Sequence, residues 1–181
     1  MNNPSNHPAN LGRDYAFEGR ISEQVLRNYL SRSMVLSFFD SGSEYGIPPE
    51  KMTEEAIRLI TQSGAKYIAR AACAWIPNGK EIARWEEMKK AAETLHAADP
   101  DIILEACIFE TAYPSFEEFP IPAHVFEAFG MEPESRNFRY QDMLFPDGRY
   151  VDHWEKDGSV PDMTRLETQM FFYFRGCLYI D

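Results

Sequence analysis

The chain has 181 residues, of which 44% are hydrophobic and 14% aromatic, and it carries 18 basic against 29 acidic side chains. This composition can build a core, which excludes global disorder. The net charge of −11, without a basic cluster, argues against a nucleic-acid partner, and no apolar run approaches the roughly 18 residues of a membrane span, so a membrane partner is not predicted.

The amino-terminal segment and the cysteines bear on cellular location. Residues 1–16 are rich in Asn and Pro, contain no apolar signal segment, and predict a flexible lead-in to one domain over residues 17–181. Cys73, Cys107 and Cys177 are odd in number and far apart, without a CxxC motif. This pattern indicates neither a disulfide framework nor a zinc site, and it favours small buried side chains in a cytoplasmic protein.

The first half of the chain alternates between helical and strand patterns. Ser22 is typical of a helix N-cap, and the apolar run over 35–40 then either continues that helix or forms a strand. Thr53 predicts the cap of a second helix, which should end at Gly64. A buried strand is predicted immediately afterwards, over 66–75.

The same alternation then repeats. The next helix is indicated by an apolar stripe formed by Ile82, Trp85, Met88, Ala92 and Leu95. A further buried strand is predicted over 101–110. Strands that alternate with helices across short turns indicate βαβ units, and therefore a parallel sheet with right-handed crossovers.

The pattern changes after this third strand. Residues 111–162 are rich in proline and aromatic residues, and a connection of this length favours an ordered excursion that covers part of the protein. Within it, residues 143–154 place an Asp-Gly pair between strand-forming residues, which predicts a hairpin. Residues 164–167 (TRLE) have the spacing of a capping box at the start of a last helix.

These elements predict an α/β fold built from parallel βα units of the TIM-barrel type. A complete eight-stranded barrel needs about 250 residues, whereas this chain offers at most three strands before its long connection. We therefore predict an incomplete, N-terminal barrel, with a loop and hairpin inserted after the third strand.

Three stretches resemble a known group of proteins. RISEQVLRNYLSRSM, GAKYIARAACAW and TRLETQMFFYFRGCLYID resemble the start of bacterial (β/α)8-barrel proteins related to glycoside hydrolases. The resemblance implies a carbohydrate ligand, with this chain supplying part of the substrate groove. In many glycosidase barrels the acid/base and the nucleophile end the fourth and seventh strands, so the resemblance also implies that both lie beyond Asp181.

A carboxylate in the middle of a buried strand needs a partner. In the strand over 101–110, alternation places Leu104 against the helices and Glu105 on the opposite face, toward a barrel interior. Arg70 lies at a similar position, near the middle of the preceding strand. Because an unpaired buried charge costs several kcal/mol, we predict a structural ion pair between Arg70 and Glu105.

Residues near the carboxyl ends of the strands are candidates for a functional rim, because barrel active sites are built there. Candidates for proton transfer are Glu110, His153 and Asp142. Aromatic rings at this rim can stack on the apolar face of a sugar ring, and Asp40 would face the same end of the sheet. The predicted substrate-binding residues are Asp40, Trp75, Glu110, Tyr113 and Trp154. Each has a structural alternative, as a solvated acid, a packed ring or a surface histidine.

Signatures of other chemistries are missing from the sequence. It contains no GxGxxG, P-loop, HExxH or GxSxG motif, and its four histidines lie on different predicted elements. We therefore predict no cofactor and no metal. The alternative to a carbohydrate-active barrel is a non-catalytic α/β module that binds a ligand or self-associates through open sheet edges.

Overall fold

The computed structural model describes residues 13–36, 48–73 and 82–180. The predicted alternation of helices and strands is confirmed for this part of the chain. In chain order, the described elements are α1 (Glu23–Leu30), β1 (Ser33–Val35), α2 (Pro49–Ser63), β2 (Tyr67–Cys73), α3 (Ile82–Ala98), β3 (Ile103–Cys107), a 3-10 helix (Pro114–Glu118), α4 (Ala123–Ala128), a second 3-10 helix (Tyr140–Met143) and α5 (Leu166–Ile180).

The described residues form two compact units, and the single domain over residues 17–181 stays a prediction. The first, which we call the sheet unit, contains α1, α2, the three strands and α3 from Glu86 onward. The second, which we call the aromatic unit, contains residues 82–85 and 108–180. The division follows the end of β3, where the regular alternation stops.

Helix ends in the sheet unit follow local sequence rules. The Ser22 hydroxyl accepts a hydrogen bond from the Val25 amide and caps α1 as predicted. Gly64 ends α2 in the left-handed conformation at φ 66°, also as predicted. The predicted start of α2 is wrong, because the helix begins at Pro49 and Thr53 lies inside it. Proline is favoured in the first helical turn, where its missing N–H has no partner to lose.

The three strands form one parallel sheet in the order β1-β2-β3. Among the described residues, β1 and β3 are therefore edge strands. The mixed α/β class and the parallel βα units are confirmed, whereas the incomplete barrel of TIM-barrel type stays a prediction. The apolar run over 35–40 begins as a strand, with Val35 paired to Ala69, and its residues 37–40 lie outside the described part.

Helices cover both faces of this sheet. On one face Ile68 and Leu104 pack with Ile60 of α2 and Leu95 of α3. On the other face Tyr67 and Ile103 pack with an α1 cluster formed by Tyr15, Val25 and Tyr29. The predicted alternation of Leu104 and Glu105 agrees with this division, although Ala106, which shares the parity of Leu104, is exposed.

The aromatic unit builds its core around α5. Phe171 lies at the centre, stacked on Phe116 with ring centroids 4.0 Å apart and edge-on to Phe138 at 5.0 Å. Phe119 and Phe126, which come from the long connection, are also fully buried in this core. The connection is thus ordered, as predicted, and its aromatic residues pack against the helix that follows them.

Two local predictions in the aromatic unit are wrong. Residues 143–154 form no hairpin, because Tyr150 and Asp152 have φ values of 60° and 53°, which break the extended conformation of a strand. The capping box also fails, because α5 begins at Leu166 and the Thr164 hydroxyl donates to Asp162. Glu167 instead accepts hydrogen bonds from more distant residues.

The helices in the described ranges include none that is both long and apolar enough to cross a bilayer.

Candidate functional site

In the sheet unit, polar groups converge on the Glu105 carboxylate. The Tyr67 hydroxyl donates to Oε1 at 2.6 Å, and the Arg70 backbone N–H donates to Oε2 at 2.9 Å. Because Tyr67 pairs with Ile103 in register, its side chain shares a sheet face with Glu105, two residues further along β3. Both oxygens of this half-buried carboxylate therefore accept hydrogen bonds from residues of the neighbouring strand β2.

The β2 backbone is irregular beside this carboxylate. Ile68 pairs with Leu104, but the next pair is Ala72 with Ala106, so three β2 residues lie opposite Glu105 alone. Arg70, at the centre of this bulge, has φ 59°, a conformation that costs a non-glycine residue about 1–2 kcal/mol. The bulge directs the Arg70 N–H at Glu105, and bulges of this kind are common next to active sites.

Hydrogen bonds set the protonation states of the group. The Tyr67 hydroxyl, and then the Arg70 amide, lower the pKa of Glu105. The hydrogen bond to Glu105, together with burial, raises the pKa of Tyr67 to about 12. Burial and the Glu105 charge raise the pKa of Cys107, against an opposing effect of Arg70. At neutral pH the group therefore presents a carboxylate, a neutral phenol and a thiol, which suits binding of a cation or a hydrogen-bond donor.

The predicted partnership of Arg70 and Glu105 has an unexpected form. The hydrogen bond that joins them comes from the Arg70 backbone N–H. Tyr67, which the sequence analysis did not consider, supplies the shorter bond. A contact through the guanidinium stays a prediction.

The aromatic unit contains a second candidate region, residues 145–158, which we call the aromatic loop. The rings of Tyr150 and His153 have centroids 5.7 Å apart, and those of His153 and Trp154 are 4.7 Å apart. All three side chains are exposed, and Trp154 is 51% exposed. Tyr150, His153 and Trp154 thus form a row of rings. In the same loop, the guanidinium of Arg149 lies 4.2 Å from the centre of the Phe145 ring.

Buried hydrogen bonds hold this loop in a strained conformation. Tyr150, Asp152 and Asp157 all have φ between 53° and 67°. The fully buried Ser159 holds Asp152: its hydroxyl accepts from the Asp152 amide at 3.1 Å and bonds to the Tyr140 hydroxyl at 2.7 Å. The Asp152 carboxylate in turn accepts from the Asp157 amide, and the Tyr150 carbonyl accepts from the Val160 amide. Its backbone exchanges two hydrogen bonds with Ala112. Strained residues persist only where the surroundings hold them, so the exposed rings stand on a rigid base.

The predicted rim residues differ in their exposure and in their partners. Tyr113 is buried in the aromatic core and donates to Glu155 at 3.0 Å, which fits a structural role better than stacking on a ligand. Its burial and that hydrogen bond raise its pKa to about 12. Glu110 is exposed, and Asp142 is partly exposed, with Arg139 3.7 Å away. His153 and Trp154 adjoin in the aromatic loop.

Two predicted binding residues, Asp40 and Trp75, lie outside the described residues.

The sequence analysis did not identify several residues whose side chains bond to distant segments of the chain. Glu167 accepts two hydrogen bonds from the Arg136 guanidinium, at 2.7 and 3.0 Å, and one from the Arg139 amide. Those bonds raise the pKa of Arg136. Ser159 and Tyr67 were missed too. The bond between Ser159 and Tyr140 spans 19 residues and the bond between Tyr67 and Glu105 spans 38 residues, so periodicity gave no signal for them.

Within the described ranges, no cluster of three or more His, Cys, Asp or Glu side chains could hold a metal ion. Comparison of the chain with protein-family models, curated proteins and solved structures found no match.

Proposed function

We propose that this chain is the carbohydrate-binding part of a glycoside-hydrolase-like α/β barrel protein, and that it supplies binding surface rather than a complete catalytic pair. The observation that carries this proposal is the row of exposed rings formed by Tyr150, His153 and Trp154 on a loop with a rigid base. The resemblance of the chain to glycoside-hydrolase-related barrels supports the same ligand class.

A row of exposed rings suits a sugar chain for a physical reason. The C–H face of a pyranose is apolar, and an aromatic ring that it covers loses little side-chain entropy because the ring has only two torsions. Asp152 and Lys156 flank the rings and are exposed, so their polar groups are accessible to sugar hydroxyls. The rigid base lowers the entropy lost on binding.

The residues near Glu105 fit binding better than proton transfer. A glycosidase needs a protonated acid and a second carboxylate, about 5 Å apart for retention and further apart for inversion. The lowered pKa of Glu105 keeps it ionised at neutral pH, which makes it unsuitable as the acid. In this proposal it orients a ligand or stabilises positive charge.

The proposal is tested with the full chain in affinity electrophoresis against xylan, mixed-linkage glucan and glucomannan, followed by calorimetry with the matching hexasaccharides. We expect Trp154→Ala to weaken binding up to about tenfold, since ring stacking contributes about 0.5–1.5 kcal/mol beyond the buried area. Trp154→Phe should restore most of the affinity. The matched control is Tyr173→Ala, because Tyr173 is 43% exposed on α5 of the same unit.

Retention on no polysaccharide would contradict carbohydrate binding by this chain. Equal losses in Trp154→Ala and Tyr173→Ala would contradict the role of the aromatic loop, because both variants would then act through stability.

A second candidate, self-association, is favoured by one observation. The β1 edge strand carries Val35, an exposed apolar residue, and unpaired strand edges pair with other chains. We expect light scattering to show assemblies that Val35→Lys disrupts. A chain that is monomeric and unfolds cooperatively would contradict both self-association and the incomplete barrel.

A further inference from the structure

The sheet unit has a separate concave surface, which we call the tyrosine cleft. Its volume is about 560 Å³, within the range of small-molecule sites. Three aromatic residues, Tyr15, Phe17 and Tyr29, line it together with the acids Glu18 and Asp101. Asp101 lies two residues before β3, so the cleft lies at the amino end of that strand, away from the carboxyl ends where barrel active sites are built.

The three rings are held at steep angles to one another. Tyr15 and Tyr29 meet edge-on, with centroids 5.1 Å apart, and Phe17 meets Tyr29 edge-on at 6.1 Å. The Tyr29 hydroxyl bonds to the Asp101 carbonyl at 2.7 Å, which fixes α1 to the segment before β3. Tyr29 is buried, whereas Phe17 is 44% exposed and presents an open ring. The cleft therefore has a fixed aromatic floor and one accessible aromatic wall.

Negatively charged side chains act on the Tyr29 hydroxyl. Burial is the largest cause that raises the pKa of Tyr29 to about 12, and the charges of Asp101, Asp99 and Asp14 add to it. The described lining includes two carboxylates and no cationic side chain. Negative charge next to the open Phe17 ring attracts cations and repels anions.

One built-in contact shows that this aromatic floor accepts a cation. The Lys66 ammonium lies 5.1 Å from the centre of the Tyr15 ring. Its charge is compensated by Asp99, whose two carboxylate oxygens lie 2.6 and 2.7 Å from Nζ. The Asp101 carboxylate lies further from Nζ, at 3.6 Å, and is about half exposed. Glu18 is also exposed, so the cleft keeps accessible negative charge for a ligand.

A buried polar group in the lining lacks a partner in the described part of the chain. The Tyr15 side chain is only 6% exposed, yet its hydroxyl makes no hydrogen bond to a described residue. Buried hydroxyls are nearly always satisfied. A partner from outside the described residues, a ligand among them, would satisfy this hydroxyl.

We propose that the tyrosine cleft binds a small organic ammonium ion. Aromatic rings attract alkylammonium ions through their quadrupoles, and the nearby carboxylates add a Coulomb attraction that a neutral ligand would not feel. This site is separate from the aromatic loop, and the proposal does not depend on carbohydrate binding.

The test is an NMR titration of the full chain with choline chloride, at an ionic strength held constant with sodium chloride. The matched neutral probe is 3,3-dimethylbutan-1-ol, in which carbon replaces the charged nitrogen at almost the same shape. We expect the ring protons of Tyr15 and Phe17 to shift with choline, and the affinity for choline to exceed that for the alcohol at least fivefold. Equal affinity for the two probes, or no shift with either, would overturn the proposal.

Two variants test whether choline binds in the tyrosine cleft. Phe17→Leu keeps an apolar side chain without the ring quadrupole, and Asp101→Asn removes one charge; each should weaken choline binding at least threefold. Leu26→Ala is the control, since Leu26 is an exposed residue of α1 outside the cleft lining. Binding that is unchanged in both Phe17→Leu and Asp101→Asn would overturn the site even if choline binds elsewhere. Phe17 is partly exposed, so the folded state of its variant can be verified by circular dichroism.

Discussion

The sheet unit and the aromatic unit acquire their order in different ways. In the sheet unit, backbone hydrogen bonds between parallel strands define the structure, and apolar residues at regular spacing fill the space between sheet and helices. In the aromatic unit, regular structure before α5 is limited to short helical segments, and packed rings and side-chain hydrogen bonds fix the chain.

This difference shows in which part of the chain sequence periodicity is sufficient to predict the structure. A repeated apolar spacing specifies an element and its buried face without knowledge of distant residues. Residues 111–162 have no such spacing, and their conformation depends on which ring meets which across the unit. The following substitutions test this contrast, from the largest expected effect to the smallest.

Phe171→Ala should lower the free energy of unfolding by about 4 kcal/mol, because it removes the ring at the centre of the aromatic core and leaves a cavity. Urea denaturation followed by circular dichroism measures this loss. Tyr173→Ala, on an exposed position of the same helix, should cost much less. A loss below about 1.5 kcal/mol for Phe171→Ala would show that the core does not depend on this ring.

Glu167→Gln should cost about 2 kcal/mol, because it removes the charge that holds the mostly buried Arg136 guanidinium. The control is Glu23→Gln in the sheet unit, which removes a surface ion pair with Arg27 and should cost less than about 0.5 kcal/mol. Denaturation of both variants under the same conditions gives the comparison. Equal costs would contradict the view that side-chain bonds order the aromatic unit.

Glu105→Gln should cost roughly 1 kcal/mol at pH 7, since the carboxylate accepts two hydrogen bonds but is partly solvated. Its pKa is lower in the folded protein than in the unfolded chain, so the ionised group stabilises above the unfolded value, and this contribution is lost as pH falls through the folded value. The stability gap between wild type and variant should therefore close on acidification. Glu110→Gln is the control, on an exposed residue; a gap that is independent of pH would contradict the assignment.

Two glycine substitutions should have opposite signs. Gly148 in the aromatic loop has φ 73°, so Gly148→Ala should cost about 1 kcal/mol through backbone strain alone, as no atom lies within 4 Å of the added carbon. Gly176 lies inside α5, also with open space around it, so Gly176→Ala should stabilise by about 0.5–1 kcal/mol. Thermal unfolding measures both. Shifts of the same sign would contradict the backbone conformation of the loop or of the helix.

The sequence by itself determined the α/β class, the alternation of helices and strands from α2 to β3, and helix ends such as Ser22 and Gly64. These features depend on residues within a few positions of one another, through the spacing of apolar side chains, the capping hydroxyl and the freedom of glycine at positive φ. The same local rules failed at residues 164–167, where Glu167 bonds to Arg136 rather than to the start of its own helix.

Only the tertiary structure decided the candidate sites. The bulge at Arg70 depends on the register between β2 and β3, and Glu105 takes its partners from residues 35 and 38 positions earlier. The aromatic loop is set by Ser159, and the tyrosine cleft forms where α1 meets the segment before β3. Hydrogen bonds and ring contacts between distant residues leave no periodic pattern in the sequence. For this physical reason the sequence predicted the helices and strands, whereas the candidate sites were found only in the tertiary structure.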